Sequence, residues 1–287
     1  MKTMTTEAFL DAYASGERDF QNVNLSGARL IGVYLSGIDL SFSRLSDADL
    51  TDARLYDARL TGADLTDARL SGARLAGADL SGARLTGADL SGARLYDARL
   101  TGADLSGARL SRADMSGADL TDANMTDADM TRACLIGARL SRADMSGARL
   151  SRADMSGADL TDANMTDADM TRARLRGAQN LDPATAAQLM RCPSVGEFIA
   201  YKQCAGGAIV KLLVPADAKR SSATSNKCRA SHVLVLEGEG TSRYDPSTRY
   251  YPGARVECDA WGEDRWEECT GGIHFFMTHE EAEAYTP

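Results

Sequence analysis

From Leu25 to Leu175 every fifth residue is Leu or Met, without a gap. Two residues before nearly every one of them stands Ala. The unit reads Ala-(Asp/Arg/Asn)-Leu-(Ser/Thr)-(Gly/Asp/Arg), as in Ala48-Asp49-Leu50-Thr51-Asp52. A period of five fits neither the 3.6 of an α-helix nor the alternation of an isolated strand. A strict short repeat points instead to a solenoid, in which each unit buries its apolar residues only by stacking on its neighbours.

The charges give the length of one turn. Wrapped at twenty residues, the position just before each Leu forms four outward columns. One runs Arg29, Asp49, Arg69, Asp89, Arg109, Asp129, Arg149, Asp169, and another Asp39, Arg59, Asp79, Arg99, Asp119, Arg139, Asp159. A third, from Asn24 to Asn164, never places like charges together. Opposite charges on neighbouring strands attract by roughly 0.2–1 kcal/mol a pair, and like charges repel. Alternation at a lag of twenty therefore predicts a four-sided coil, about eight coils and a rod about 38 Å long at strand spacing.

The repeat from about Asn22 to Gln179 resembles the pentapeptide-repeat family, whose unit is Ala-(Asp/Asn)-Leu-x-x. The resemblance implies a mainly β fold, a right-handed four-sided parallel β-helix. In it the central Leu and the Ala two before it point inward, and the other three positions face water. It also implies a class of partner, because some members resemble duplex DNA in size and charge and bind DNA gyrase. That alternative needs a strong acidic field. Here the net charge of −9 is spread over the whole chain, and the repeat holds only about −3 of it.

The fourth column departs from the pattern. It reads Tyr34, Arg54, Arg74, Arg94, Asp114, Cys134, Asp154, Arg174, with three stacked Arg. The residue after each Leu is Ser or Thr almost everywhere, and the exceptions Tyr56, Ala76, Tyr96, Ile136 and Arg176 share this face; Ile31 lies elsewhere. Tyr and Arg are favoured at protein interfaces. Tyr34, Arg54, Tyr56, Arg74, Arg94, Tyr96 and Ile136 are the candidate interaction face. The competing reading is drift on an exposed surface, with Arg stems covering the rings. A second basic line, Arg112, Arg132, Arg152, Arg172, reads as lying on another face. It coincides with a duplication, residues 111–133 recurring as 151–173. Mixed surrounding charge argues against direct nucleic-acid binding.

The repeat ends on either side in different composition. Residues 1–21 form a cap and lead-in, with a short helix over Thr5–Ala14 and Phe20 already in register with Leu25. Residues 22–181 are the repeat. Residues 182–287 read as a small α+β domain that begins with a capping helix, Asp182 at its N-cap and Pro183 in its first turn. Its strand-like runs are Phe198–Gln203, Ala208–Val214, His232–Leu236, Arg255–Ala260 and Gly272–Met277, and Thr278 caps a last helix. The segments Val210–Ser222, Lys227–Ala230, Tyr244–Pro246 and Cys269–Phe276 resemble an uncharacterised domain found after pentapeptide repeats in phage and bacterial proteins. The resemblance spans roughly residues 195–285 and implies no activity.

The repeat has no His or Lys and offers no catalytic base. In the tail, Cys228, His232, Cys258, Cys269 and His274 are candidate metal ligands, but their spacing fits no standard site. Cys269 with His274 is the candidate nucleophile pair. Lys219, Arg220, Lys227 and Arg229 read as a basic loop between two strands, either solvated or holding an anion. No cofactor is implied. No apolar run reaches the ~18 residues of a membrane span. Six Cys without a disulfide framework, and no secretory leader, give the expectation of a cytoplasm, of a bacterium or a phage-infected host. The preferred function is a non-enzymatic binding or structural scaffold. The alternatives are a gyrase modulator and a small enzyme or metal site in the tail.

Overall fold

The backbone amide of Leu50 donates to the carbonyl of Arg69 at 2.7 Å, and the amide of Asp49 donates to the carbonyl of Ala28 at 2.9 Å. Asp52 donates to Ser71 in the same way, and Ala53 closes the turn on Leu50. This pattern recurs along the repeat in the computed structural model. Residue i forms a parallel bridge with residue i+20, from Asp19 with Asp39 to Asp159 with Gln179. The result is a β-helix with four bridge columns, one for each pentapeptide of a coil. The structure describes residues 1–181, 192–222, 226–263 and 271–285. Two compact units are present, Met1–Thr185 and Ala186–Pro287.

Inside the first unit the Leu and Met of the ladder are buried, and so are nearly all the Ala two before them. One position departs from Ala with a hydrogen-bond consequence. Ser43 is buried, and its hydroxyl donates to the Phe20 carbonyl at 2.9 Å and accepts from the Val23 amide. The Ser or Thr after Leu is half-buried through the middle of the repeat. Its reason is local. The carboxylate of Asp49 accepts from both the amide and the hydroxyl of Thr51, at 3.2 and 2.7 Å. The same arrangement joins Asp64 to Thr66, Asp79 to Ser81 and Asp119 to Thr121. Where Asp or Asn precedes the Leu, the Ser or Thr after it completes this Asx turn.

The corner residue sits in the left-handed region, with φ of 56° at Asp52, 68° at Gly27 and 60° at Arg112. Gly is at ease there, and Asp and Asn adopt it with local hydrogen bonding. The choice at each corner also depends on the coil below. A Cβ on Gly87 would collide with Asp67 Oδ1, whereas one on Gly92 would meet nothing within 4 Å.

At the start of this unit, α1 (Thr6–Ala14) is capped by Thr5, whose hydroxyl accepts from the Ala8 amide. Phe9 is buried edge-on against Phe20, ring centroids 4.7 Å apart. An unforeseen pair precedes it: β1 (Lys2–Thr3) lies parallel to β2 (Val23–Asn24). The chain start thus supplies partners for backbone groups that a bare first coil would leave open.

The second unit is mainly strand among its described residues. A four-stranded antiparallel sheet has the order β10 (Arg255–Glu257), β7 (His232–Glu237), β4 (Ile209–Val214), β3 (Phe198–Gln203). A three-stranded sheet joins β11 (Ile273–Phe275), β6 (Cys228–Ala230) and β5 (Arg220–Ser222), and β8 (Gly240–Thr241) pairs with β9 (Arg249–Tyr250). Tyr201 and Phe276 exchange backbone hydrogen bonds, which ties the first two sheets together. Ala200, Val210, Leu212, Val214, Val233, Val235 and Phe275 share the core. A short helix, α2 (His279–Glu283), is capped by Thr278. The helix expected at residues 182–190 lies outside the described residues.

Two outcomes test this account. Gly87→Ala and Gly92→Ala each put an L-residue in a left-handed corner, a cost of about 1 kcal/mol. Only Gly87→Ala must also displace the Asp67 carboxylate, so it should have the lower melting temperature. Adding Asp67→Gly should remove the difference. Equal melting points for the two single variants would show that the carboxylate moves aside freely.

The second concerns acid. The Thr161 hydroxyl, then the Thr161 amide, hold the Asp159 carboxyl down to about 2, and Asn180 and Ser141 assist. Asp49 is lowered by Thr51 in the same manner. A depressed carboxyl stabilises the fold above its unfolded value and loses that contribution as pH falls through the folded one. Circular dichroism melts should be level from neutrality to about pH 4 and drop between about pH 4 and 2.

Candidate functional site

In most columns of the β-helix each Arg lies over the Asp of the coil before it. Arg59 pairs with Asp39 at 3.7 Å, Arg109 with Asp89 at 3.7 Å and Arg139 with Asp119 at 3.4 Å. These contacts are long, and the guanidinium groups are mostly exposed, so each is worth little. Their effect is to leave those faces electrically balanced.

One face is different. Arg54, Arg74 and Arg94 bridge one another in sequence along a column that starts at Tyr34. No carboxylate stands within ion-pair distance of any of them among the described residues. The Arg54 guanidinium lies 4.1 Å above the Tyr34 ring, a cation–π contact between neighbouring coils. Tyr34, Tyr96 and Ile136 are exposed at 62%, 40% and 46%, while Tyr56 is half-buried. Cys134 is half-buried too, its sulfur 3.1 Å from the Ser116 hydroxyl.

The second basic line belongs with this face, which corrects its assignment to another. Arg112, Arg132, Arg152 and Arg172 occupy the corner two residues before Asp114, Cys134, Asp154 and Arg174. That corner column begins with Gly32, Asp52, Gly72 and Gly92, which together with Arg54, Arg74 and Arg94 line a shallow hollow of about 430 Å³. Arginine therefore passes from the strand to the corner between Arg94 and Arg112 and continues coil after coil. None of these four corner arginines has an ion pair among the described residues. The sequence carried the signal in the lag of twenty, since 112 is 92 plus one turn.

In the second unit the basic loop resolves into two strands, and this too is a correction. Arg220 lies on β5 and Arg229 on β6, paired antiparallel. Arg229 is only 2% exposed and donates to the carbonyls of Gly262 and Gly271 at 2.9 and 2.8 Å, over the Trp261 ring. Arg220 donates to the carbonyls of Gly196, Pro215 and Ala216. Both arginines hold loop backbone in place and are not offered to an anion. Lys219 pairs with Glu263 at 2.9 Å, and Lys227 reaches over the Tyr285 ring.

The metal candidates are separated by role. Cys228 is buried beside Cys192, which hydrogen-bonds it, and that pairing together with burial pushes the Cys228 thiol up. His232 is buried between the Ser231 hydroxyl and Asp217. Cys258 is half-buried, and burial raises its thiol. His274 stands on β11. Among the described residues no three His, Cys, Asp or Glu converge as a metal cluster. Cys269, and with it the proposed Cys269–His274 pair, lies outside the described residues. Lys227, Cys258 and His274 do meet, with Lys202, around one cavity of about 410 Å³. Lys202 was missed in the sequence. Its signal was alternation, since it occupies an inward position of β3 two residues after the buried Ala200.

Residues 19–55, 63–102, 103–142 and 138–177, together more than half the chain, match the model of pentapeptide repeats. Residues 188–282 match a family of unknown function, DUF5758. No curated protein sequence matches the chain significantly. Similar solved structures include HetL, a pentapeptide repeat protein involved in heterocyst differentiation regulation from the cyanobacterium Nostoc sp. strain PCC 7120. It is 32% identical over 61% of this chain and 96% of its own, with a TM-score of 0.26. QnrB1, a plasmid-mediated fluoroquinolone resistance protein, is 22% identical over 59% and 96%, with a TM-score of 0.44. Rfr23 from the cyanobacterium Cyanothece 51142 is 27% identical over 42% and 94%, with a TM-score of 0.29.

The roles of the two tail arginines separate from that of the exposed lysine in a denaturation series. Arg229→Met removes the guanidinium donor from the Gly262 carbonyl and leaves the Gly271 carbonyl only the Gly262 amide, and should cost about 2–4 kcal/mol. Lys219→Ala, on an exposed pair, should cost under about 1 kcal/mol. Urea melts of the two variants check this.

Proposed function

We propose, given that this chain belongs to the pentapeptide-repeat family, that it is a non-enzymatic scaffold whose β-helix presents one face to a protein partner. The family is of structural and binding proteins. The scaffold is taken as a right-handed, four-sided rod of about eight coils, with residues 1–21 as its lead-in, 22–181 as the rod and 182–287 as a separate domain.

One observation carries the reading. In the other three strand columns every arginine has a carboxylate or amide neighbour along the stack, whereas Arg54 and Arg74 have none and stack with Arg94 beside exposed Tyr34 and Tyr96. Stacked like charges cost stability in an isolated rod. They are relieved when an acidic surface covers them. Arg and Tyr are also the side chains that concentrate binding energy in protein interfaces.

The alternative of a DNA-mimicking gyrase modulator lacks the field it needs. Alternating Arg and Asp cancel along two columns, and the distinctive face is basic. For enzymatic chemistry in the second unit, Cys258 and His274 line one cavity, and the candidate pair Cys269 with His274 lies outside the described residues. No described helix is long and apolar enough to cross a membrane.

The test is an affinity capture from the source cell with the full chain as bait. The comparison is a variant in which Arg74→Asp, Tyr56→Thr and Tyr96→Thr restore the pattern of the other faces. The variant should melt at or above the temperature of the parent and lose the captured protein. Retention of the same protein by the variant would make the face irrelevant. Unchanged supercoiling by gyrase in the presence of micromolar protein is the expected companion result.

A further inference from the structure

Among its described residues the second unit buries a lysine that no carboxylate pairs. Lys202 is 7% exposed, on the inward side of β3 between Ala200 and the Cys204 turn. Its ammonium has three protons. One goes to the backbone carbonyl of His274 at 3.2 Å, and the Tyr250 ring lies 5.4 Å away. No carboxylate comes within ion-pair distance of it among the described residues. Burying an ammonium without a counter-charge is costly, and folds avoid it where an apolar residue would serve. Leu or Met at this inward position would fill the space at no such cost.

The neighbours deepen the imbalance. Burial pushes the Lys202 ammonium down to about 8; the Cys204 thiol opposes this, and Lys227 and Arg243 add to it as nearby cations. Of the three acidic groups in the wall, two are hydrogen-bonded elsewhere. Asp245 accepts from the amide and hydroxyl of Ser247 and from the Thr248 hydroxyl. Glu257 is bonded to Arg255 at 2.9 Å. Asp259 is exposed.

Lys202 opens into the cavity of about 410 Å³ lined also by Tyr250, Ile273, Ser242 and Thr248. The volume suits a small organic molecule, and the walls combine apolar surface with the Ser242 hydroxyl. We propose that this cavity binds a small organic anion, with its carboxylate or phosphate received by the Lys202 ammonium and its body against Tyr250 and Ile273. The Lys202 protons without an acceptor among the described residues are then satisfied by the ligand. Lys227 adds a second positive charge to the lining.

Titration calorimetry of the full chain tests the site with benzoate, phenyl phosphate and neutral benzyl alcohol. One anion should bind at a single site, and which one binds identifies the head group. Benzyl alcohol should give no signal. Lys202→Met should weaken binding about tenfold or more, while Lys219→Met, outside the cavity, should leave it unchanged. In the unsubstituted protein the affinity should be level from about pH 7 to 8 and fall as Lys202 loses its proton above it. That series decides the matter even if Lys202→Met does not fold. Silence from both anions at millimolar concentration, or affinity indifferent to pH between about 6.5 and 9.5, would overturn the proposal.

Discussion

A backbone amide that finds its acceptor one coil further on is the contact on which the first unit rests. Each pentapeptide sends its Leu amide forward and the amide before it backward, so neighbouring coils are laced at strand spacing. Burial of Leu and Ala follows from that lacing, because residues on the same side are held directly above one another. Solenoids of this kind draw stability from nearest-neighbour interfaces. The consequence for the surface is strong, since each outward side chain has a fixed partner at a lag of twenty.

That fixed partnership explains why so much of the repeat was legible. The Leu ladder marked the core. The alternation of charge through Asp49, Arg69 and Asp89 marked the turn, and it shows only when the chain is wrapped at the correct length. The corners were less readable. Gly, Asp and Arg alternate there with no apparent rule, because the rule acts between coils: Asp67 leans over Gly87, and an L-residue at 87 would meet it. The Ser and Thr after Leu looked like neutral surface and are hydrogen-bond partners of the preceding Asp. The merging of the two basic lines into one edge was also readable, from the arithmetic of 92 and 112, yet a list of columns by strand position hid it.

The second unit was harder for a physical reason. Its short strands β5 and β6 carry Arg220 and Arg229, and a run of charged residues reads as loop. The two guanidinium groups are instead consumed by backbone carbonyls within the fold. A chain cannot announce such bonds, since acceptor and donor are far apart in sequence. Lys202 shows the converse. Its inward register on β3 marks it as out of place in a core, and its meaning depends on the cavity that it meets.

The twenty-residue register also bears on how such a chain can change in size. Residues 111–133 and 151–173 are identical and stand forty apart, two full turns. Adding or removing the forty residues of that offset returns every later side chain to the side it left, above a neighbour of the same kind. Length and cross-section are thus independent variables in this molecule. A copying event that would wreck an ordinary globular core merely moves one end further from the other.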